Sequence, residues 1–146
     1  MKTVLDKAVR EELISRVNML PENSKPVWGQ MTVAQMMKHC TMWDEMAQGK
    51  TKYKQSLLGK IFGRMALKDM LKDEPAKRNL PSVPSFIITE HPDFATEKKK
   101  WISLLEQYAD YSTKGWIHPF FGMMNKEQTG LIVYKHVDHH LRQFNG

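Results

Sequence analysis

Residues 125–144 read NKEQTGLIVYKHVDHHLRQF. Asn125 and Gln128 stand three residues apart, the spacing of a helix N-cap and its capping-box partner, so the stretch is predicted to be helical. An α-helix turns by about 100° per residue, which places His136 and His140 only about 40° apart. The two imidazoles therefore project side by side from one face of this last helix.

The face that carries His136 and His140 is predicted to point toward the protein interior. It also carries Gln143, whereas His139 lies about 60° or more away and is interpreted as a boundary residue. The apolar residues beside this face are Val133, Val137 and Phe144, and the residues predicted to point outward are Lys135, Asp138 and Arg142. Two imidazoles on an apolar face each need a partner, and one shared metal ion satisfies both.

A third ligand is predicted on an earlier helix. Thr32 and Gln35 form a second capping pair, and the helix that follows is expected to run to about Gln48. His39 shares an apolar face of this helix with Trp43, four residues further on, so Trp43 is a candidate to line the site. A lone histidine on such a face can also be a hydrogen-bonded core residue, and that alternative stays open at this point.

The rest of the chain is predicted to be helical. An apolar stripe at three- and four-residue spacing predicts a first helix over residues 5–20, and another long helix is predicted from Asp93 onward. Residues 72–86 contain three prolines and are expected to form an extended connection. Only Ser85–Thr89 has the pattern of a strand. Four long helices predict an all-α bundle, and the length is that of one domain spanning residues 1–146.

Composition and charge narrow the classes of function. The net charge is +6, but Lys and Arg are scattered among acids, so nucleic-acid binding is not expected. The first residues lack the apolar segment of a signal peptide, and no apolar run approaches the roughly 20 residues that span a bilayer. The single cysteine, Cys40, cannot form an intramolecular disulfide and is predicted to be a buried core residue. A cytoplasmic protein without membrane attachment is the expectation.

Residues 53–72 are basic and amphipathic, and they allow two interpretations. One face of the predicted helix or helices carries five apolar side chains, namely Leu57, Leu58, Ile61, Phe62 and Met65. Such a stretch can lie on a membrane surface, or it can cap the bundle. Gly59 and Gly63 weaken an isolated helix, so the cap is favoured.

Three other polar residues are weaker candidates for the site. Asp44 and Glu45 lie one turn beyond His39 and could orient a ligand, although solvated carboxylates on a helix are the favoured alternative. His118 begins a Phe-rich turn near the last helix. It could line the pocket, or it could be a structural turn histidine.

Three separated segments resemble the DinB-like superfamily. Residues 28–39, WGQMTVAQMMKH, are similar to the place where a small loop residue and a capped helix lead to a metal-binding histidine. Residues 118–122 read HPFFG, and residues 135–144, KHVDHHLRQF, contain the closing HxxxHxxQ. The resemblance covers essentially the whole chain and indicates a branch of DinB/YfiT-like metalloenzymes that ends in a KHxDHHxRQF-type motif. One departure is the inserted Asn145, which lies beyond the predicted ligands.

The resemblance implies a four-helix bundle with one crossover connection and short additional helices. It also implies that His39, His136 and His140 hold a divalent metal, zinc or nickel, at one end of the bundle. Three neutral nitrogen ligands leave at least one open position, as catalytic sites do. The implied function is a metal-dependent enzyme that activates a water or a small thiol, either a hydrolase or a thiol-dependent transferase with a small-molecule substrate. A homodimer is also implied. The alternative on the same fold is a non-catalytic metal-binding or protein-interaction module.

Overall fold

The structure, a computed structural model, describes residues 1–80 and 82–146. Within them it has five α-helices and one small two-stranded sheet, and helix accounts for 55% of the chain. The α-helices are α1 (Lys7–Met19), α2 (Val33–Ala47), α3 (Leu57–Met70), α4 (Phe94–Glu106) and α5 (Lys126–Gln143). The prediction of a mostly helical chain is confirmed.

Side-chain caps fix where α2 and α5 begin. Thr32 accepts a hydrogen bond from the backbone N–H of Gln35, and the Gln35 side chain accepts one from the N–H of Thr32. Asn125 and Gln128 make the same reciprocal pair at the start of α5. Each pair satisfies backbone donors that the first helical turn leaves free. Both capping boxes are as predicted.

The position predicted for a strand is wrong. The strands are β1 (Trp116–His118) and β2 (Gly122–Met124), which pair antiparallel across the turn that the sequence predicted there. Three residues per strand are too few to show an alternating pattern. Ser85 and Phe86 instead belong to a short 3-10 helix, Pro84–Phe86, because proline cannot donate a ladder hydrogen bond and favours the first position of a helical turn.

The connection between α3 and α4 has no α-helix in its described residues. Pro75 and Pro84 lie in it, as the prediction of an extended connection requires. Pro81, the third proline of that prediction, lies outside the described residues.

Helices α1 and α2 both pack against α4 and α5. Buried side chains from all four helices form one hydrophobic cluster, which includes Leu13, Val17, Met36, Met37, Trp101, Leu105, Val133, Val137 and Leu141. This packing holds α2 and α5 side by side, and these are the two helices that carry the predicted ligands.

Helix α3 packs on the rest of the chain through Gly59, Gly63 and Leu67. A Cβ atom built on Gly59 would lie 2.5 Å from the carbonyl oxygen of Phe120, and one built on Gly63 would lie closer still. The five apolar side chains of the helix are exposed, namely Leu57, Leu58, Ile61, Phe62 and Met65. The sequence predicted that residues 53–72 cap the bundle; α3 packs against β2 and the turn before it, and its five exposed apolar side chains take no part in that contact. The glycines are part of the contact surface, because only they let the helix backbone approach the turn after β1.

Gly63→Ala should destabilise the protein by about 1–3 kcal/mol, because the new methyl group meets backbone that cannot move aside as a side chain would. In an ordinary helix position the same change stabilises by about 1 kcal/mol, so the sign of the effect is diagnostic. Urea denaturation of the two proteins measures it. A gain in the free energy of unfolding would contradict the packing described for α3.

No helix in the described ranges is both long enough and apolar enough to cross a bilayer.

Candidate metal centre

His39 from α2 and His136 and His140 from α5 come together in the structure. One ring nitrogen from each lies within 4.8 Å of the others. The Nε2 atoms of His39 and His136 are 3.1 Å apart, and the ring centroids of His136 and His140 are 4.6 Å apart. The one-turn spacing predicted from the sequence of α5 therefore places both imidazoles beside the histidine of α2.

A backbone carbonyl fixes which nitrogen of His39 carries the proton. Its Nδ1 atom lies 3.0 Å from the carbonyl oxygen of Phe86. A carbonyl oxygen can only accept, so Nδ1–H donates and Nε2 keeps its lone pair. That lone pair belongs to the nitrogen that faces His136. The 3-10 helix after the long connection thus orients the imidazole of α2.

A relay through Gln143 does the same for His140. The amide Nε2 of Gln143 donates to the carbonyl oxygen of Trp28 at 2.8 Å, so its Oε1 atom faces Nδ1 of His140 at 2.9 Å. Since Oε1 only accepts, Nδ1 of His140 carries the proton, and Nε2 keeps the lone pair. Gly29 makes room for this relay, because a Cβ atom there would lie 2.7 Å from the Gln143 amide nitrogen.

Gln143→Ala should weaken divalent-metal binding by about 10–100-fold, the usual cost of removing a partner that orients a ligating histidine. The physical reason is that His140 loses the acceptor that fixes its tautomer and ring orientation. Isothermal titration with Zn²⁺ on protein treated with a chelator measures the change. Affinity equal to that of the wild type would show that the relay does not orient His140 for binding.

His136 stacks on Trp43, with ring centroids 5.0 Å apart. Two nitrogens held by tetrahedral zinc are about 3.3 Å apart, close to the 3.1 Å between His39 Nε2 and His136 Nε2. Because His39 Nε2 has a lone pair, His136 Nε2 must donate to it when nothing else lies between them. His39 Nε2 and His140 Nε2 thus both keep a lone pair within a cluster whose ring nitrogens lie within 4.8 Å of one another, a donor set that fits a divalent cation.

Burial keeps the imidazoles of the cluster neutral. Burial lowers the pKa of His39, and it lowers the pKa of His140 to about 3, with the nearby His39 contributing. Burial, together with His140 and His39, also holds the pKa of His136 well below its ordinary value. Neutral imidazole is the form that binds a metal, so the site needs no proton loss near neutral pH.

His118 has the opposite tautomer. Its Nδ1 atom accepts hydrogen bonds from the backbone N–H groups of Phe120 and Phe121, each at 3.1 Å. The proton of the neutral ring is therefore on Nε2. Burial lowers the pKa of His118 to about 4, so the ring remains neutral. Unlike His39 and His140, whose Nε2 atoms keep a lone pair, His118 carries its proton on Nε2 and offers a donor.

A cavity of about 170 Å³ adjoins the three histidines. Its walls include the candidate residues Trp43 and His118, and also Phe86 and Phe121. His139 and Lys77 also line the cavity. The sequence placed His139 at a boundary and gave no role to Lys77, which lies in the long connection. The orienting carbonyls of Phe86 and Trp28 were also missed. Since every residue has a carbonyl, no residue type marks them.

The structure does not bring Asp44 to the site. Its carboxylate is buried and accepts hydrogen bonds from Trp101 Nε1 at 3.0 Å and from the Tyr108 hydroxyl at 2.8 Å. Burial raises the pKa of Asp44 to about 7 against the effect of these two donors. Asp44 thus neither contacts a histidine of the cluster nor is a solvated carboxylate, and it joins α2 to the α4 region.

Two further predictions have clear outcomes. Cys40 is buried, as predicted, and burial raises the pKa of its thiol well above the ordinary value. Lys135 was predicted to point outward but is buried, and its ammonium group donates to the carbonyl oxygens of Met70 and Lys72. This lysine fastens α5 to the end of α3.

The fold and the cluster define a class, a mostly helical protein in which three histidines from two helices are placed compatibly with a metal site. The chain belongs to DUF1569, a family of proteins of unknown function, whose family model matches residues 2–146. No curated protein and no solved structure matches the chain.

Proposed function

We propose that the protein is a divalent-metal-dependent enzyme of the DinB-like type, with His39, His136 and His140 as the metal ligands and zinc or nickel as the metal. The observation that carries the proposal is the convergence of three neutral imidazoles, two of them with tautomers fixed by hydrogen bonds. A merely structural histidine cluster has no need to keep the Nε2 lone pairs of both His39 and His140 free of protons. The tautomers therefore support a binding role.

The helix contacts support the finer description of the fold. In the proposed four-helix bundle, α1 and α2 each contact α4 and α5, so the four helices form a closed ring of contacts. The long segment between α2 and α4, which contains α3, is then the crossover connection, and residues 1–146 are one domain. The resemblance to DinB-like proteins stays a prediction.

A bound divalent ion would act as a Lewis acid and would lower the pKa of a coordinated water or thiol. The chain's own residues supply the rest of the site. Phe86 and Gln143 hold two ligands in orientation. His118, which lines the same cavity, offers an N–H to an oxygen of the substrate. Trp43 and Phe121 contribute aromatic walls to the cavity of about 170 Å³ beside the three histidines.

Of the two reaction types, thiol-dependent transfer has the better support. Among the described residues that line the cavity there is no aspartate or glutamate to act as a general base in metal-assisted hydrolysis. His118 cannot act as that base, since its lone pair already accepts two backbone hydrogen bonds, and this leaves His139 as the one cavity residue outside the ligand set for that role. A thiol with a lowered pKa is itself the nucleophile and needs no carboxylate in this cavity.

The experiment is elemental analysis of protein purified without a polyhistidine tag, followed by turnover assays of the metal-loaded protein. About one zinc or nickel per chain is expected. The assays offer a small thiol with a chromogenic electrophile, and separately a chromogenic ester. Activity with the thiol, lost on chelation and restored by metal, supports transfer, and ester cleavage alone supports hydrolysis. Metal binding with neither activity on these probes supports the non-catalytic module. Absence of divalent-metal binding under reducing, near-neutral conditions overturns the proposal.

A further inference from the structure

Helix α3 presents an apolar surface that no part of the described chain covers. We define the α3 outer face as the five exposed apolar side chains of this helix, Leu57, Leu58, Ile61, Phe62 and Met65. Exposure of these side chains ranges from 47% at Phe62 to 79% at Leu57. Five large apolar side chains on one helix face form a contiguous patch, and such a patch in a folded protein marks an interaction surface.

The charge next to the α3 outer face is of one sign. Residues 50–68 contain six Lys or Arg residues and no Asp or Glu. Lys60, Arg64 and Lys68 follow each other at four-residue spacing, so they form one exposed row along the flank of the apolar residues. None of these three takes part in an ion pair with the described residues. The first acidic residue of α3, Asp69, is neutralised by Lys72 and Lys77.

We infer that the α3 outer face binds an anionic lipid surface, with the helix lying in the plane of the interface. An apolar face beside a row of basic side chains is the composition of interfacial helices. A second copy of the chain would bring two basic rows together, which costs free energy through like-charge repulsion. Because the glycines already anchor α3, its apolar side chains remain free when the chain is folded.

The sequence favoured a cap of the bundle over a membrane-surface helix for residues 53–72, and the structure of α3 favours the second interpretation. The glycines counted against an isolated membrane-bound helix, but in the structure they anchor a helix that is already folded. Surface binding also agrees with the finding that no described helix is able to cross a bilayer. It does not depend on the metal site.

The test is co-sedimentation of the full chain with vesicles at about 50 mM salt. Vesicles of phosphatidylcholine mixed with phosphatidylserine are compared with vesicles of phosphatidylcholine alone. Binding to the anionic vesicles only is expected, with weaker binding as salt rises. Equal binding to both compositions, or binding to neither, overturns the inference.

Met65→Glu should weaken binding to the anionic vesicles at least about tenfold, because it replaces an apolar side chain that would enter the lipid by a negative charge that the anionic headgroups repel. Met19→Glu is the matched control. Met19 lies at the end of α1 with 69% exposure, against 68% for Met65, and the change adds the same charge. Equal loss in the two variants would contradict a specific role of α3. Circular dichroism of both variants verifies that the helices are intact.

The triple variant Lys60→Gln, Arg64→Gln and Lys68→Gln should weaken binding on the order of 100-fold, since each basic side chain at an anionic surface contributes about fivefold. Removal of three exposed lysines elsewhere, Lys7, Lys25 and Lys99, is the control and should have a much smaller effect.

Light scattering of the wild type and Met65→Glu tests whether a second copy of the chain covers the α3 outer face instead. A wild-type dimer that Met65→Glu converts to monomer, without vesicle binding, would assign the face to a second copy and overturn the lipid proposal.

Discussion

Replacing His39, His136 or His140 by Ala should lower the affinity for Zn²⁺ by more than about 100-fold, the upper limit of what the loss of an orienting partner costs. The three imidazoles converge from two helices, so any single loss leaves two ligands, and two ligands do not hold a borderline ion as tightly. Isothermal titration of chelator-treated protein measures the affinity. The helices should remain, because the hydrophobic cluster contributed by α1, α2, α4 and α5 is unchanged.

His139→Ala is the internal control. Its ring centroid lies only 5.2 Å from that of His140, but its nitrogens are not part of the three-atom cluster. The stoichiometry should stay near one metal per chain. Loss of binding in His139→Ala with retention in His140→Ala would show that α5 presents the wrong face, and the ligand set would have to be replaced.

The sequence predicts those parts of the site that depend on a single helix. The offset of about 40° between His136 and His140 follows from helix geometry, and the capping box at Asn125 fixes where that helix begins. Helix α2 is predictable for the same reason. Both helices could therefore be assigned, with their histidines, before their mutual packing was known.

The partners that fix the tautomers could not be predicted. The carbonyl that orients His39 belongs to Phe86, 47 residues away, and the carbonyl at the end of the Gln143 relay belongs to Trp28, 115 residues away. A backbone carbonyl has no side-chain signature, and its position depends on the path of a loop. The burial of Asp44 could not be predicted for the same reason. Its hydrogen-bond partners, Trp101 and Tyr108, are brought to α2 by the packing of distant parts of the chain.

Helix α3 shows a different limit of sequence patterns. Hydrophobic periodicity establishes which side chains share a face, but not whether that face meets protein. Here the closest contact is between a glycine and the backbone of Phe120, which excludes any larger residue. The side of α3 that packs carries Gly59, Gly63 and Leu67, whereas the five apolar side chains of the helix stay exposed. A pattern that weighs only side-chain hydrophobicity gives the opposite orientation.

The metal-free protein should lose stability as the pH falls below about 6.5, the ordinary pKa of histidine. Burial lowers the pKa of His118 to about 4 and that of His140 to about 3 in the folded protein. Between these values and 6.5 the unfolded chain binds protons that the folded chain does not. Stability is therefore fully present above pH 6.5 and is lost as the pH falls toward the folded pKa values. At about pH 4.5 each of the two groups costs on the order of 3 kcal/mol.

Asp44 acts in the opposite direction. Burial raises its pKa to about 7, so the folded protein takes up a proton there while the unfolded carboxyl is still ionised. Its contribution favours folding as the pH falls from 7 toward the ordinary value of 3.8. The buried histidines outnumber this one carboxyl, so a net loss is expected. A variant that changes one histidine and leaves Asp44 in place separates the two effects.

His118→Asn is that variant, because the asparagine oxygen can accept the two backbone hydrogen bonds that Nδ1 of His118 now accepts. Urea denaturation in the presence of a chelator, at about pH 7.5 and about pH 4.5, gives the loss of unfolding free energy for each protein. The loss should be smaller in His118→Asn than in the wild type by about 3 kcal/mol, since the asparagine does not titrate. His91→Asn, at an exposed histidine, is the control and should leave the loss unchanged. Equal losses in the wild type and His118→Asn would mean that His118 is protonated in the folded protein, and the neutral Nε2–H donor assigned to the cavity would have to be abandoned.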